Sequence, residues 1–231
     1  LLKLMKLEMR KFRIGSYVWG AMIANVIILA LVCAIGLIED VSSDMPFTDY
    51  AMAFSVIDTL VRGTYIVFGA VLISRMVIDE FRNKSITLLF MYPINRKKLI
   101  AAKLLVVALF VLAADITANL IVGIAFGVLN HFVVIVNEPM TWSIAARSLL
   151  TVGMSALATS LLSLIPLYFG MRNYSGAATI VSSLLVVLVV CQNIDNFSLY
   201  SIIAVPIGLA LIGAVIAYLS IRNIEHVDVL K

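Results

Sequence analysis

The sequence predicts an all-α integral membrane protein with six transmembrane helices, an amino-terminal interfacial helix and a cytoplasmic helix between the second and third spans. Three observations predict it. Hydrophobic residues make up 63% of the chain and charged residues only 13%, against roughly 25% charged in a soluble domain, and the mean hydropathy is +1.11. The apolar residues form long runs; a hydrocarbon core about 30 Å thick takes about 20 helical residues, so 231 residues fill around six spans and leave no room for a soluble catalytic domain. The basic residues fall almost entirely in alternate connections. A basic balance of this kind records membrane topology and does not point to nucleic acid.

Residues 1–15 place Lys3, Lys6, Arg10 and Arg13 on one helical face and Leu1, Met5, Met9 and Phe12 on another, as in a helix lying in the membrane interface. A simple basic flank needs the same charges but not the Met and Phe stripe. The segment is too long, and the apolar run after it too complete, for a cleavable signal peptide. The first span is expected at 17–38, followed by an acidic loop with Glu39, Asp40, Asp44, Asp49 and Pro46 and without Lys or Arg. The second span covers 54–78 and leads into the long polar interruption 79–97. There Phe81, Leu88, Leu89 and Tyr92 share one helical face, while Asp79, Glu80, Arg82 and Lys84 cluster at its start. Pro93 biases Tyr92 away from helical geometry, and Asn95 can cap a new helix from Arg96.

The third span, 98–129, exceeds the bilayer and must tilt, break or project; a break is expected at Gly123 and Gly127, before an outer segment from His131 to Trp142. The fourth covers 144–170 and turns at Met171–Ser175, with Arg172 inside. The fifth covers 176–191, Gln192–Ser198 turns outside, and the sixth covers 199–220. The outer loops carry no Lys or Arg except Arg147 at the edge of the fourth span, so both termini are expected in the cytoplasm. Tyr17, Trp19, Tyr50, Trp142, Tyr168, Tyr174 and Tyr200 fall near span boundaries, as interfacial aromatics do.

Ionisable residues inside a span mark function or a specific partner. Asp58 and Arg62 stand at i, i+4 in the favourable order for an intrahelical pair. Asp115, with Asn119 one turn on, lies at a depth where Arg62 could reach it. A clamp between the second and third spans, the lining of a polar path, and a proton or ion relay are the readings open to them. Asn25, Ser182 and Ser183 suit helix-to-helix hydrogen bonds, and Gly63, Gly69, Gly153, Gly208 and Gly213 suit close packing. Cys33 and Cys191 sit in apolar runs without metal-ligand spacing, as buried thiols or as a pair between span ends.

The sequence contains no GxxxxGK[ST], HExxH or GxSxG, so a nucleotide cradle, a zinc protease and a serine hydrolase are excluded as readings, and the chain is not expected to be an enzyme or to bind a cofactor. Two kinds of function other than pumping fit the residues alone. One is an ATP-independent transporter or channel using Asp58, Arg62 and Asp115; the other is an assembly or sensory protein.

The run Glu80-Phe81, Lys84 to Leu89, Pro93-Ile94, Arg96 and Lys103 resembles the segment between the second and third spans of permeases of the ABC transporter type-2 exporter family. It is most similar to small bacterial permeases of peptide-export and antimicrobial-peptide immunity systems. The resemblance implies a multi-pass protein of the bacterial cell membrane whose 79–97 segment is a coupling helix seated in a separate ATPase. Two ATPase copies would hold the ATP and Mg, and a second permease chain, identical or related, would complete the path. Glu80, Phe81, Lys84 and Leu88 are then the candidates for ATPase contact, with Arg82 beside them, and the amino-terminal elbow would move with the first span. The turn between the fifth and sixth spans is shorter than in larger family members, which carry re-entrant helices there. That departure disfavours a polysaccharide path, and the apolar walls suit an amphipathic or antimicrobial-type peptide.

Overall fold

The computed structural model describes residues 2–11, 14–39, 50–83, 96–132, 136, 142–191, 193–194, 197–198 and 204–222. The helices are α1 (Leu2–Lys11), α2 (Ile14–Glu39), α3 (Tyr50–Ile73), a π-helical turn (Ser74–Ile78) running directly into α4 (Asp79–Arg82), α5 (Arg96–Phe132), α6 (Trp142–Leu162), α7 (Pro166–Asn173), α8 (Gly176–Val190) and α9 (Ala204–Arg222). Between α8 and α9 lies a two-stranded antiparallel ribbon pairing Asn193 with Ser198 and Ile194 with Phe197. The sequence reading expected only a turn there.

Four helical stretches among the described residues are long and apolar enough to cross a membrane: Gly15–Ile35, Tyr50–Arg82, Lys98–Phe132 and Ala146–Asn173. Gly176–Val190 and Ile207–Ile216 are apolar but shorter. At 1.5 Å per residue α8 reaches about 22 Å, below the roughly 30 Å of a hydrocarbon core. The chain is thus a multi-pass helical protein, with four helical stretches of full spanning length among the described residues.

The bundle is organised around α3, which packs on α5, α6 and α8. Its Ile57, Val61, Tyr65, Ile66, Gly69, Ala70 and Ile73 are buried. By contrast, α2 is apolar all round and peripheral, with Val18, Trp19, Met22, Ile23 and Val26 exposed, a surface that suits lipid because the helix has already satisfied its backbone polar groups internally. Of the five glycines expected to permit close packing, two are required for it. A Cβ on Gly69 would stand 2.6 Å from Ser163 Cβ, and one on Gly213 would stand 2.4 Å from the Leu161 carbonyl oxygen. Gly63 makes ordinary contacts, but Gly153 and Gly208 face open space within 4 Å, so close packing does not explain those two.

Three departures from expectation concern the helices. The expected break at Gly123 and Gly127 is absent: α5 runs unbroken for 37 residues, about 55 Å, and therefore tilts or projects from the bilayer. The expected fourth span instead breaks between α6 and α7. Pro166 has no N–H to give to Leu162, and the backbone tightens there into i to i−3 hydrogen bonds such as Leu164 N to Leu161 O at 3.2 Å and Ile165 N to Leu162 O at 3.0 Å. The third departure is the π turn at the end of the second span. It carries Ser74 against Gly176, where a Cβ would meet Ser74 Oγ at 2.3 Å. The tight link between α7 and α8 has Tyr174 left-handed at φ 45°, and Ser175 caps α8 by accepting from Ala178 N.

Candidate functional site

Two buried charge clusters occupy different levels of the bundle, about 18 Å apart along α5. The first joins α1, the π turn, α4 and the start of α5. Lys103 is 1% exposed, and its Nζ donates to Glu8 Oε2 at 3.1 Å and to the Met76 carbonyl at 3.1 Å, with Glu80 Oε2 at 2.9 Å. A buried ammonium with three donors needs three acceptors, and one comes from each of three elements. Met76 lies within the π turn, where the wider i to i+5 ladder disturbs normal backbone pairing. Lys103 thereby fastens the irregular turn, α1 and α4 together.

This arrangement places the predicted site residues as follows. Glu80 and Phe81 are buried, Glu80 facing Lys103 and Phe81 packing at 6.0 Å between ring centroids on Tyr174. Arg82 and Asn83 are exposed. Lys84 and Leu88 lie outside the described residues, as does Arg13. Lys6 is exposed, while Met5 and Glu8 form the buried side of α1; nothing is described of the Lys3 and Arg10 side chains. The expected apolar stripe is interrupted, because Met9 is 43% exposed. The acid Glu8, not the methionines, makes the specific contact. Its signal in the sequence is its isolation: it is the one acid in the basic 1–15 segment, and Lys103 is a lone base in the apolar run 99–114.

The second cluster lies further along, between α3, α5 and α6. Arg62 pairs with Asp58, and Asp58 Oδ1 accepts from Ser155 Oγ of α6 at 2.6 Å. The cross-helix tie thus reaches the fourth span, a partner the sequence reading did not consider. Asp115 is fully buried and within electrostatic reach of Asp58 and Arg62. Asn119 Nδ2 donates to Asp115 Oδ2 at 3.3 Å and to its carbonyl at 3.2 Å, whereas Asp115 Oδ1 has no hydrogen-bond partner among the described residues.

Elsewhere, Asn25 does join two helices, accepting from Tyr65 Oη at 2.9 Å. Ser182 and Ser183 do not: their hydroxyls donate to Thr179 and Ile180 carbonyls of their own helix, the local bonding open to any helical serine. Besides Ser155, a serine that does cross between helices is Ser160, which donates to the Ala108 carbonyl at 2.8 Å. Cys33 and Cys191 are half-buried, and Cys191 Sγ approaches the Thr59 carbonyl at 3.7 Å. Among the described residues no three His, Cys, Asp or Glu side chains converge as metal ligands would.

Beside the second cluster is a cavity of about 790 Å³ between α3, α5 and α6, with Phe54, Ile57, Asn119, Gly127, Leu149 and Val152 among its walls. Its size is that of a small-molecule or cofactor pocket.

Residues 4–191 match the family described as "ABC-2 family transporter protein". The chain is 36% identical over 227 residues to "Uncharacterized protein YcbO" of Bacillus subtilis (strain 168), covering 98% of this chain and 100% of that protein. No solved structure matches it.

Proposed function

This chain belongs to the ABC-2 transporter family, the membrane subunit of a transporter whose ATPase is a separate chain, and on that premise we propose that it is the permease of an exporter for amphipathic or antimicrobial-type peptides. It works with two copies of a cytoplasmic ATPase, which bind ATP and Mg, and with a second permease chain, identical or related. Both termini lie in the cytoplasm of a bacterium, which places the Lys103 cluster on the cytoplasmic side and the cavity in the outer half.

The observation that carries the reading is the convergence of Glu8, Glu80 and Lys103. A motion imposed on the 79–97 segment cannot displace Glu80 without moving Lys103 on the third span and Glu8 on the elbow, since leaving a buried charge unpaired is strongly unfavourable. Phe81 passes the same displacement to Tyr174, at the link between α7 and α8. Glu80 and Phe81 therefore act in coupling from the inner side of the segment. Arg82, the residues after it and the predicted contacts Lys84 and Leu88 meet the ATPase.

The test is purification of the tagged chain in mild detergent, comparing wild type with Arg82→Glu and Glu80→Ala. An ATPase retained by wild type and weakened by Arg82→Glu supports the reading. A correctly folded wild-type chain from its native membrane that retains no ATPase overturns it.

A further inference from the structure

The cavity and the second cluster share a wall. Asn119, Gly123, Gly127 and His131 recur every four residues along α5 and all line the cavity, so one helix face forms a track about 18 Å long. Its middle is bare. A Cβ on Gly127 would meet nothing within 4 Å, and one on Gly123 would meet only the Phe54 ring, at 3.4 Å. The opposing walls are mostly apolar, with Phe54 and Ile57 of α3 and Leu149 and Val152 of α6, and carry two hydroxyls, Tyr50 and Ser148. At the deep end stands Asn119, hydrogen-bonded to Asp115, whose Oδ1 is buried without a partner among the described residues.

We propose that this cavity binds a cationic amphiphile, an extended apolar chain or side chain ending in an amine or guanidinium. The apolar part lies along the glycine track, and the cation reaches Asp115 by turning Asn119 aside. Asp58 and Asp115 bring two carboxylates to a cluster in which Arg62 is engaged by Asp58, and a lone carboxylate oxygen in low dielectric is satisfied best by a charge-assisted donor. A neutral chain would fill the track and leave that oxygen as it is. As the site of exported cargo, the cavity rests on the exporter reading and narrows the cargo to amphipathic molecules with a basic group. As a binding site it does not need that reading.

The experiment therefore uses the chain alone, in nanodiscs of zwitterionic phosphatidylcholine, without ATPase. A dansyl-labelled twelve-carbon primary amine and the corresponding alcohol are titrated against wild type, Asp115→Asn, Gly127→Ala and Gly127→Leu. The amine should bind wild type saturably, about 10-fold more weakly to Asp115→Asn, as expected for loss of one charge-assisted contact. Its binding should fall progressively from Gly127→Ala to Gly127→Leu as the track fills. The alcohol should bind weakly and ignore Asp115→Asn. Equal binding of amine and alcohol, unaltered by Asp115→Asn, would make the cavity a purely apolar pocket and overturn the proposal. Amine binding indifferent to both Gly127 substitutions would place the probe elsewhere and overturn it too. Gly127→Ala, which adds one methyl group in open space, keeps the test decisive if the leucine variant fails to fold. Absence of a co-purifying ATPase would count against the exporter reading only.

Discussion

The two buried clusters are built from the same inventory, two carboxylates and one base, and resolve it in opposite ways. Around Lys103 the base sits between Glu8 and Glu80 and donates also to the Met76 carbonyl, and the residues come from positions as far as 95 apart in the chain. That cluster joins elements together. Around Arg62 the base pairs with Asp58 one turn away in its own helix, while Asp115 keeps one buried oxygen without a hydrogen-bond partner among the described residues, behind Asn119 of the cavity wall. The closed cluster suits transmission of movement, and the open one suits capture of a charged ligand. Polarity inside a membrane is costly in either arrangement; what differs is whether the chain supplies the last partner itself.

Substitutions should separate the two by the size of their effect. Lys103→Met removes the base from two buried acids at once and should destabilise by about 4 kcal/mol, in the range for breaking a buried pair; it would be seen as a lowered thermal unfolding midpoint and a lower folded yield. Asp58→Ala removes a buried partner of the Arg62 guanidinium and one acceptor of the Ser155 hydroxyl, and about 3 kcal/mol is expected by the same measurement. Tyr65→Phe, which deletes the hydroxyl donating to Asn25, sets the scale of an ordinary hydrogen bond between membrane helices, about 0.6 kcal/mol. Asp115→Asn should be the smallest, no more than about 0.5 kcal/mol, since the amide keeps an acceptor for Asn119 and the side chain has no other hydrogen bond to lose among the described residues. An Asp115→Asn variant as damaged as Asp58→Ala would erase the distinction between the clusters.

What could be read from the residues follows the range of the interactions. The Asp58 and Arg62 pair was legible because i, i+4 spacing on a helix determines proximity. The apolar runs were legible because the bilayer sets the length of a span, which is how the first four spans were placed. The tie from Asp58 to Ser155 and the meeting of Glu8 with Lys103 were not, because each depends on how distant helices pack. The unbroken α5 was misjudged for a related reason: Gly123 and Gly127 read as helix breakers, whereas their missing side chains leave room beside the helix for a ring and a cavity. The break that did occur, before Pro166, had the stronger local signal.

The claim most exposed to test is that Lys103 fastens the elbow helix to the third span. Spin labels at Leu7 and Lys98, both exposed on α1 and α5, would report their separation by pulsed electron resonance in nanodiscs, on a chain with Cys33 and Cys191 replaced by alanine. Wild type should give one narrow distance distribution, and Lys103→Met, or the milder Glu8→Gln, a broad one shifted to longer distance. Distributions of equal width in all three chains would show that α1 is held by other means and would contradict the account.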